Sequence, residues 1–106
     1  MLVSFRCLDN GDNQNKRLEL LNQHLQWVTH NMNNIKVAGP LVGNSENTHI
    51  GSLYIFEADS IEQATKLLHS DPYYAAAIWH SIDITEFKDY AGTWVGGQNW
   101  PGANNN

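Results

Sequence analysis

The chemistry open to this sequence rests on five histidines, a single cysteine and one aspartate in a special place. That aspartate is Asp71, in the stretch HSDPYYAAAIWH that spans residues 69–80. It precedes Pro72, whose ring pushes the preceding backbone out of the helical region and whose own fixed φ suits a first helical position. Aspartate is a good N-cap, so Asp71 is expected to stop one helix and open a short one through YYAAAI, with its carboxylate at the mouth. A carboxylate bonded to one imidazole nitrogen fixes the tautomer and raises basicity, leaving the other nitrogen to take or give a proton near neutral pH. Whether Asp71 only caps a helix or also reaches a histidine elsewhere is left open by these residues alone.

Other chemistries have little support. The histidines outside the first helix's middle, His30, His49, His69 and His80, show no metal spacing, so no metal site is expected. Gly96-Gly97 lacks the preceding strand and following helix of a nucleotide-binding loop, and no cofactor is expected. Cys7 lies in an apolar strand with no helix start or neighbouring cation to activate it, and reads as a small core residue. The net charge is −5 and the six Lys and Arg are scattered, which argues against nucleic acid. The apolar run Tyr73 to Trp79 is too short to span a bilayer, and the first residues lack the pattern of a signal peptide. One cysteine in a buried strand fits a reducing compartment, so a cytoplasmic location is expected.

The elements that must position these groups follow from periodicity. Leu2 to Leu8 alternates, with Val3, Phe5 and Cys7 on one side, as a strand does. A polar loop, DNGDNQN, leads to a helix from Lys16 to about Met32, in which Leu18, Leu21, Leu25, Val28 and Met32 form a stripe expected to face the core. IKVAGPLV is a second strand carrying a Gly39-Pro40 break; proline cannot donate to a ladder, so this position is expected to be an edge, a bulge or a strand end that interrupts the sheet. GSLYIFEA is a third, apolar on both faces. Ser60 and Gln63 form a capping box that starts a second helix through Ile61, Ala64, Leu67 and Leu68. Trp79 to Lys88 is a fourth strand.

The order strand, helix, strand, strand, helix, strand is that of an α+β, ferredoxin-like antiparallel sheet with both helices on one face. The other face is left bare. Because two strands are apolar on both sides, a second copy of the chain is the expected cover, giving a homodimer. The chain is one domain, residues 1–90, followed by a Trp-, Gly- and Asn-rich tail, residues 91–106. The tail's Trp94 and Trp100 can lie over a partner, rim a pocket or pack on their own chain, and the final Asn run is expected to be disordered. At 42% hydrophobic and 16% charged, the composition is globular and fits a surface partly covered by a partner.

KRLELLNQHL, the AGPL break, GSLYIFE and DPYYAAAIWHSIDITEFK, at their separations, resemble the YciI-like family over roughly residues 1–88. These are small dimeric α+β barrel proteins, in the wider group of muconolactone isomerase and small monooxygenases. The resemblance implies that two subunits pack sheet to sheet. It implies an active-site pair of a first-helix histidine and the aspartate of the Asp-Pro-Tyr turn, which are His24 and Asp71 here, with Arg17, Ser52 and Tyr73 around the same cavity. Many relatives carry Arg-Pro shortly before the histidine, where this chain has Leu21-Asn22. A dechlorinating relative that eliminates chloride from a lactone implies that the scaffold hosts proton-transfer chemistry.

Arg17 and His24 are seven residues apart, two helical turns, and so lie nearly on one line. The function expected is a cofactor-free enzyme acting on a small carbonyl or lactone compound by isomerisation or elimination. The alternatives are a metabolite-binding or assembly module without catalysis, and a cofactor-free monooxygenase. For His24 itself, the bland account is a polar residue on the shoulder of an amphipathic helix.

Overall fold

The computed structural model describes residues 1–44 and 48–103. Four strands, β1 (Leu2–Asp9), β2 (Ile35–Val42), β3 (His49–Glu57) and β4 (Trp79–Phe87), make one antiparallel sheet in the order β2-β3-β1-β4. Helix α1 (Gln14–His30), α2 (Ile61–His69) and the single turn α3 (Pro72–Ala75) complete the ferredoxin-like arrangement. None of the helices among the described residues is long and apolar enough to cross a membrane.

The register divides the sheet into two faces. Val3, Phe5 and Cys7 of β1 stand opposite Phe56, Tyr54 and Ser52 of β3. With Trp27 of α1, Ala64 and Leu68 of α2, and Ile78, the apolar members of this layer form the core. Fully buried side chains such as Phe5, Phe56 and Leu68 each contribute about 1.5–3 kcal/mol of apolar burial. Alternation sends Leu2, Leu53, Ile55 and Phe87 to the opposite face, which no helix among the described residues covers. Gly51 permits the close contact of β1 and β3, because a Cβ there would collide with the carbonyl oxygen of Cys7.

Local chemistry fixes the caps. Ser60 Oγ accepts from Gln63 N at 3.0 Å, while the Gln63 side chain accepts from Asp59 N at 2.7 Å, a capping box displaced by one residue. Asp71 accepts from Tyr73 N at 2.9 Å and so starts α3. Ala77, at φ 55°, turns the chain from α3 into β4.

Two expectations are corrected. At Gly39-Pro40 the expected edge position is found but the interruption is not: β2 runs through as an edge strand, with Pro40 opposite Ser52, because its outer side needs no donor. The second concerns the rotation of α1. The stripe Leu18, Leu21, Leu25 and Met32 faces away from the sheet, with Leu18 70% and Leu25 49% exposed, and only Val28 of that set packs against the core. The inner face carries Arg17, Leu20, His24 and Trp27 instead. Its polar groups are tolerated there because each meets a hydrogen-bond partner, which offsets the loss of water. In α2, likewise, Ala64 and Leu68 are buried while Ile61 is exposed.

After β4 the chain forms a small hairpin of β5 (Ala91–Gly92) and β6 (Gly97–Gln98), joined by a turn of 3-10 helix at Thr93–Val95. The final Asn run expected to be disordered, residues 104–106, lies outside the described residues, as do residues 45–47 of the β2–β3 loop.

Candidate active site

Asp71 is fully buried, yet three donors surround its carboxylate. Tyr73 N donates to Oδ1 at 2.9 Å, and His24 Nδ1 lies 2.9 Å from the same oxygen. The Tyr54 hydroxyl donates to Oδ2 at 2.7 Å. A carboxylate accepts only, so Nδ1 of His24 carries the hydrogen and the ring takes the tautomer whose Nε2 has a free lone pair. No hydrogen bond among the described residues reaches Nε2, and the His24 side chain keeps 14% of its surface exposed. The ring is held flat against Tyr73, with centroids 4.1 Å apart and planes 9° from parallel. It has little freedom to turn away.

Each group arrives from a different element. His24 comes from the middle of α1, Tyr54 from the inner side of β3, and Asp71 from the turn between α2 and α3. Trp27, one turn beyond His24, donates to Ser70 Oγ at 2.7 Å and so ties α1 to the residue just before Asp71. The capping geometry and the histidine contact are compatible because they use separate approaches to the carboxylate.

Arg17 sits one layer behind this pair. Arg17 is 6% exposed, and its guanidinium makes a two-pronged ion pair with Asp9, Nε to Oδ2 at 2.8 Å and Nη2 to Oδ1 at 2.7 Å. Nη2 also reaches Ser52 Oγ at 3.2 Å. Burial opposes its charge, but the hydrogen bond and the charge of Asp9 outweigh this and hold Arg17 above its ordinary pKa. The guanidinium carbon lies 5.2 Å from the Tyr73 ring centre, and the Tyr73 hydroxyl donates to the Arg17 carbonyl at 3.2 Å. Arg17 and Ser52 therefore clamp the end of β1 to α1 and β3, behind the ring on which His24 stacks.

The surroundings keep the nearby phenols and the thiol protonated. Burial, with the charge of Asp71 and its hydrogen bond, pushes the Tyr54 phenol far up. Tyr73 is also raised, by burial first, with Asp71 adding and Arg17 opposing. Cys7 is pushed up to about 12, by burial first and then by Asp71 and Asp9. It is a protonated core thiol and no nucleophile.

The structure thus brings His24, Asp71 and Tyr73 into direct contact, and sets Arg17 and Ser52 one layer behind. Asp9 and Tyr54 escaped the sequence reading, although both stand at the inward parity of their strands. A carboxylate at inward parity requires a cation, and a tyrosine there requires an acceptor. A groove of about 780 Å³ lies on the opposite side of the sheet, between the bare face and the terminal hairpin.

Residues 1–88 match the YCII-related domain. Protein YciI of Escherichia coli O6:H1 is 30% identical over 95 residues, which cover 83% of this chain and 97% of that protein, and Protein YciI of Shigella flexneri matches to the same extent. Among solved structures, 5-chloro-2-hydroxyhydroquinone dehydrochlorinase of Burkholderia phenoliruptrix AC1100, in complex with 2,5-dihydroxybenzoquinone, is similar at a TM-score of 0.78 and 23% identity. That similarity covers 88% of this chain and 97% of the dehydrochlorinase, and it establishes the shared fold. With the domain match running from β1 through β4 and a relative matched over nearly its whole length, this chain belongs to the YCII-related, or YciI-like, family.

Proposed function

We propose that this protein is an enzyme that acts on a small carbonyl or lactone compound by acid–base chemistry, with His24 as the proton carrier and Asp71 as its partner. One observation carries the reading: a buried carboxylate holds Nδ1 of a stacked, partly exposed imidazole at 2.9 Å, leaving Nε2 free. In the forward step, Nε2 takes a proton from the carbon beside a carbonyl, and the electron pair of that C–H bond moves into an enolate. The imidazolium that forms is stabilised by the adjacent carboxylate. Returning the proton to a different carbon completes an isomerisation. Expelling a leaving group with its electron pair completes an elimination. The similar dehydrochlorinase supports the second outcome by the chemistry its name describes.

Tyr73 supplies the surface on which the imidazole is stacked, and Arg17 and Ser52 hold that surface in place. In this reading the protein works as a homodimer, its open sheet faces packed together, since the apolar side chains of that face otherwise stand in water.

The test is proton exchange. A panel of small ketones, diketones and lactones is incubated with the protein in D2O, and deuterium entry beside the carbonyl is followed by NMR. Exchange should occur for at least one class and fall by about 10²–10⁴ in His24→Gln, the range typical of a positioned acid–base group. Exchange that persists undiminished in His24→Gln refutes the assignment. A panel without any exchange, in a protein whose His24 holds a single tautomer, turns the reading toward a binding or assembly module centred on the sheet-face groove.

A further inference from the structure

The open face of the sheet is made of alternate residues from four strands of eight or nine residues, about seventeen side chains. Its centre is apolar, with Leu2, Val37, Leu41, Leu53, Ile55 and Phe87 lining one side of the 780 Å³ groove. Charges of both signs surround this centre: Arg6 stands opposite Asp83 in the register, Lys36 lies 3.7 Å from Glu57, and Asp89 lines the groove. A rim of mixed sign does not favour a strongly charged partner. An apolar centre with both signs at its rim is suited to a copy of itself, because a two-fold axis sets a patch against the same patch.

The other wall of the groove is the terminal hairpin, residues 91–95, which together with the rest of residues 89–103 lies beyond the part of the chain matched to the family. This segment is built as a unit. β5 and β6 pair at Ala91–Gln98 and Gly92–Gly97, and the Asn99 side chain donates to the Val95 carbonyl at 2.6 Å. Asn99 N donates to the Tyr90 carbonyl, also at 2.6 Å. At its bend the hairpin presents Trp94, which is 86% exposed. An indole held largely in water by an ordered turn gains little within its own chain, and tryptophan is among the residue types enriched as interface anchors.

We propose that residues 89–103 form an arm that clasps a second copy of this chain, laid on the open sheet face, and that Trp94 is the anchor of that clasp. The size of the surface agrees. A stable interface uses about 20–30 residues a side, which the sheet face alone does not reach and the sheet face with the arm does. The inference rests on the homodimer reading above and is independent of the chemistry at His24.

The experiment is sedimentation velocity over a dilution series with the full chain, Trp94→Ala, Trp94→Tyr and, as a control on the exposed outer stripe of α1, Leu18→Glu. Because Trp94 is exposed, its variants should keep the circular dichroism of the parent. The expected result is a dimer for the parent and the Leu18→Glu control, a dissociation constant at least about 10-fold weaker in Trp94→Ala, and recovery of most of the loss in Trp94→Tyr. A dimer whose constant is unchanged in Trp94→Ala overturns the arm while leaving the homodimer standing, and dissociation by Leu18→Glu alone moves the interface to α1. A parent that stays monomeric at every concentration overturns both the arm and the homodimer. The proton-exchange result at His24 is read separately.

Discussion

Replacing Tyr54 by Phe removes a single oxygen from the centre of the site. That oxygen donates to Asp71 Oδ2 at 2.7 Å, and both residues are out of contact with solvent. The ring and its contacts with Trp27, Phe56 and Trp79 remain, so no large cavity forms. What is lost is a hydrogen bond to a charged group, about 1.5–3 kcal/mol, and Oδ2 has no water to replace it. The expected loss of stability is therefore about 2–3 kcal/mol, which for a chain of this size lowers Tm by about 10 °C or more. Urea unfolding measures it as a lower midpoint at an unchanged slope. The double variant Tyr54→Phe/Asp71→Asn completes the cycle. In the Asn background the Tyr54 deletion should cost about 1 kcal/mol, the value of a neutral bond. A loss below about 0.5 kcal/mol in the parent, or an equal loss in both backgrounds, would refute the claim that Tyr54 supports the Asp71 carboxylate.

Three further outcomes follow from the same geometry. Arg17→Ala leaves Asp9 buried without its cation and should destabilise by about 3–5 kcal/mol in urea unfolding, whereas a free substrate-binding arginine would change stability little. Leu18→Glu should stay within about 0.5 kcal/mol of the parent, while Trp27→Ala should lose about 3–5 kcal/mol, and reversal of that order would show that α1 is rotated the other way. Cys7 keeps its proton up to about pH 12 in the folded protein but loses it near its ordinary value of 9.0 when unfolded. Its contribution to stability is therefore complete below pH 9 and declines between pH 9 and 12. Alkylation of the native thiol at pH 9 should proceed only through unfolding, and a native-state rate like that of a free thiol would contradict the burial.

The similarity in element order between this chain and an ordinary ferredoxin-like fold was legible in the sequence, because the signals that set it are local. Alternation in residues 2–8 and 51–57, the Ser60–Gln63 cap and the Asp71-Pro72 turn each act within a few residues, where dihedral preference and nearby donors decide the outcome. The aspartate of the site was legible for the same reason. Its partner was readable only through the family resemblance, since His24 and Asp71 are 47 positions apart and no local pattern relates them.

What only the tertiary structure decided is the rotation of α1. The helix has two candidate inner faces, Leu18-Leu21-Leu25 and Arg17-Leu20-His24-Trp27, about a quarter turn apart at 100° per residue. A reading by hydrophobic period favours the leucines, because it counts apolar side chains and gives no weight to polar groups that find partners. The fold brings Asp9 and Asp71 to the same layer, where Arg17 and His24 bind them, and it adds the large apolar area of Trp27. Those partners come from distant strands and turns, so the face that wins is set by contacts that exist only once the sheet has formed.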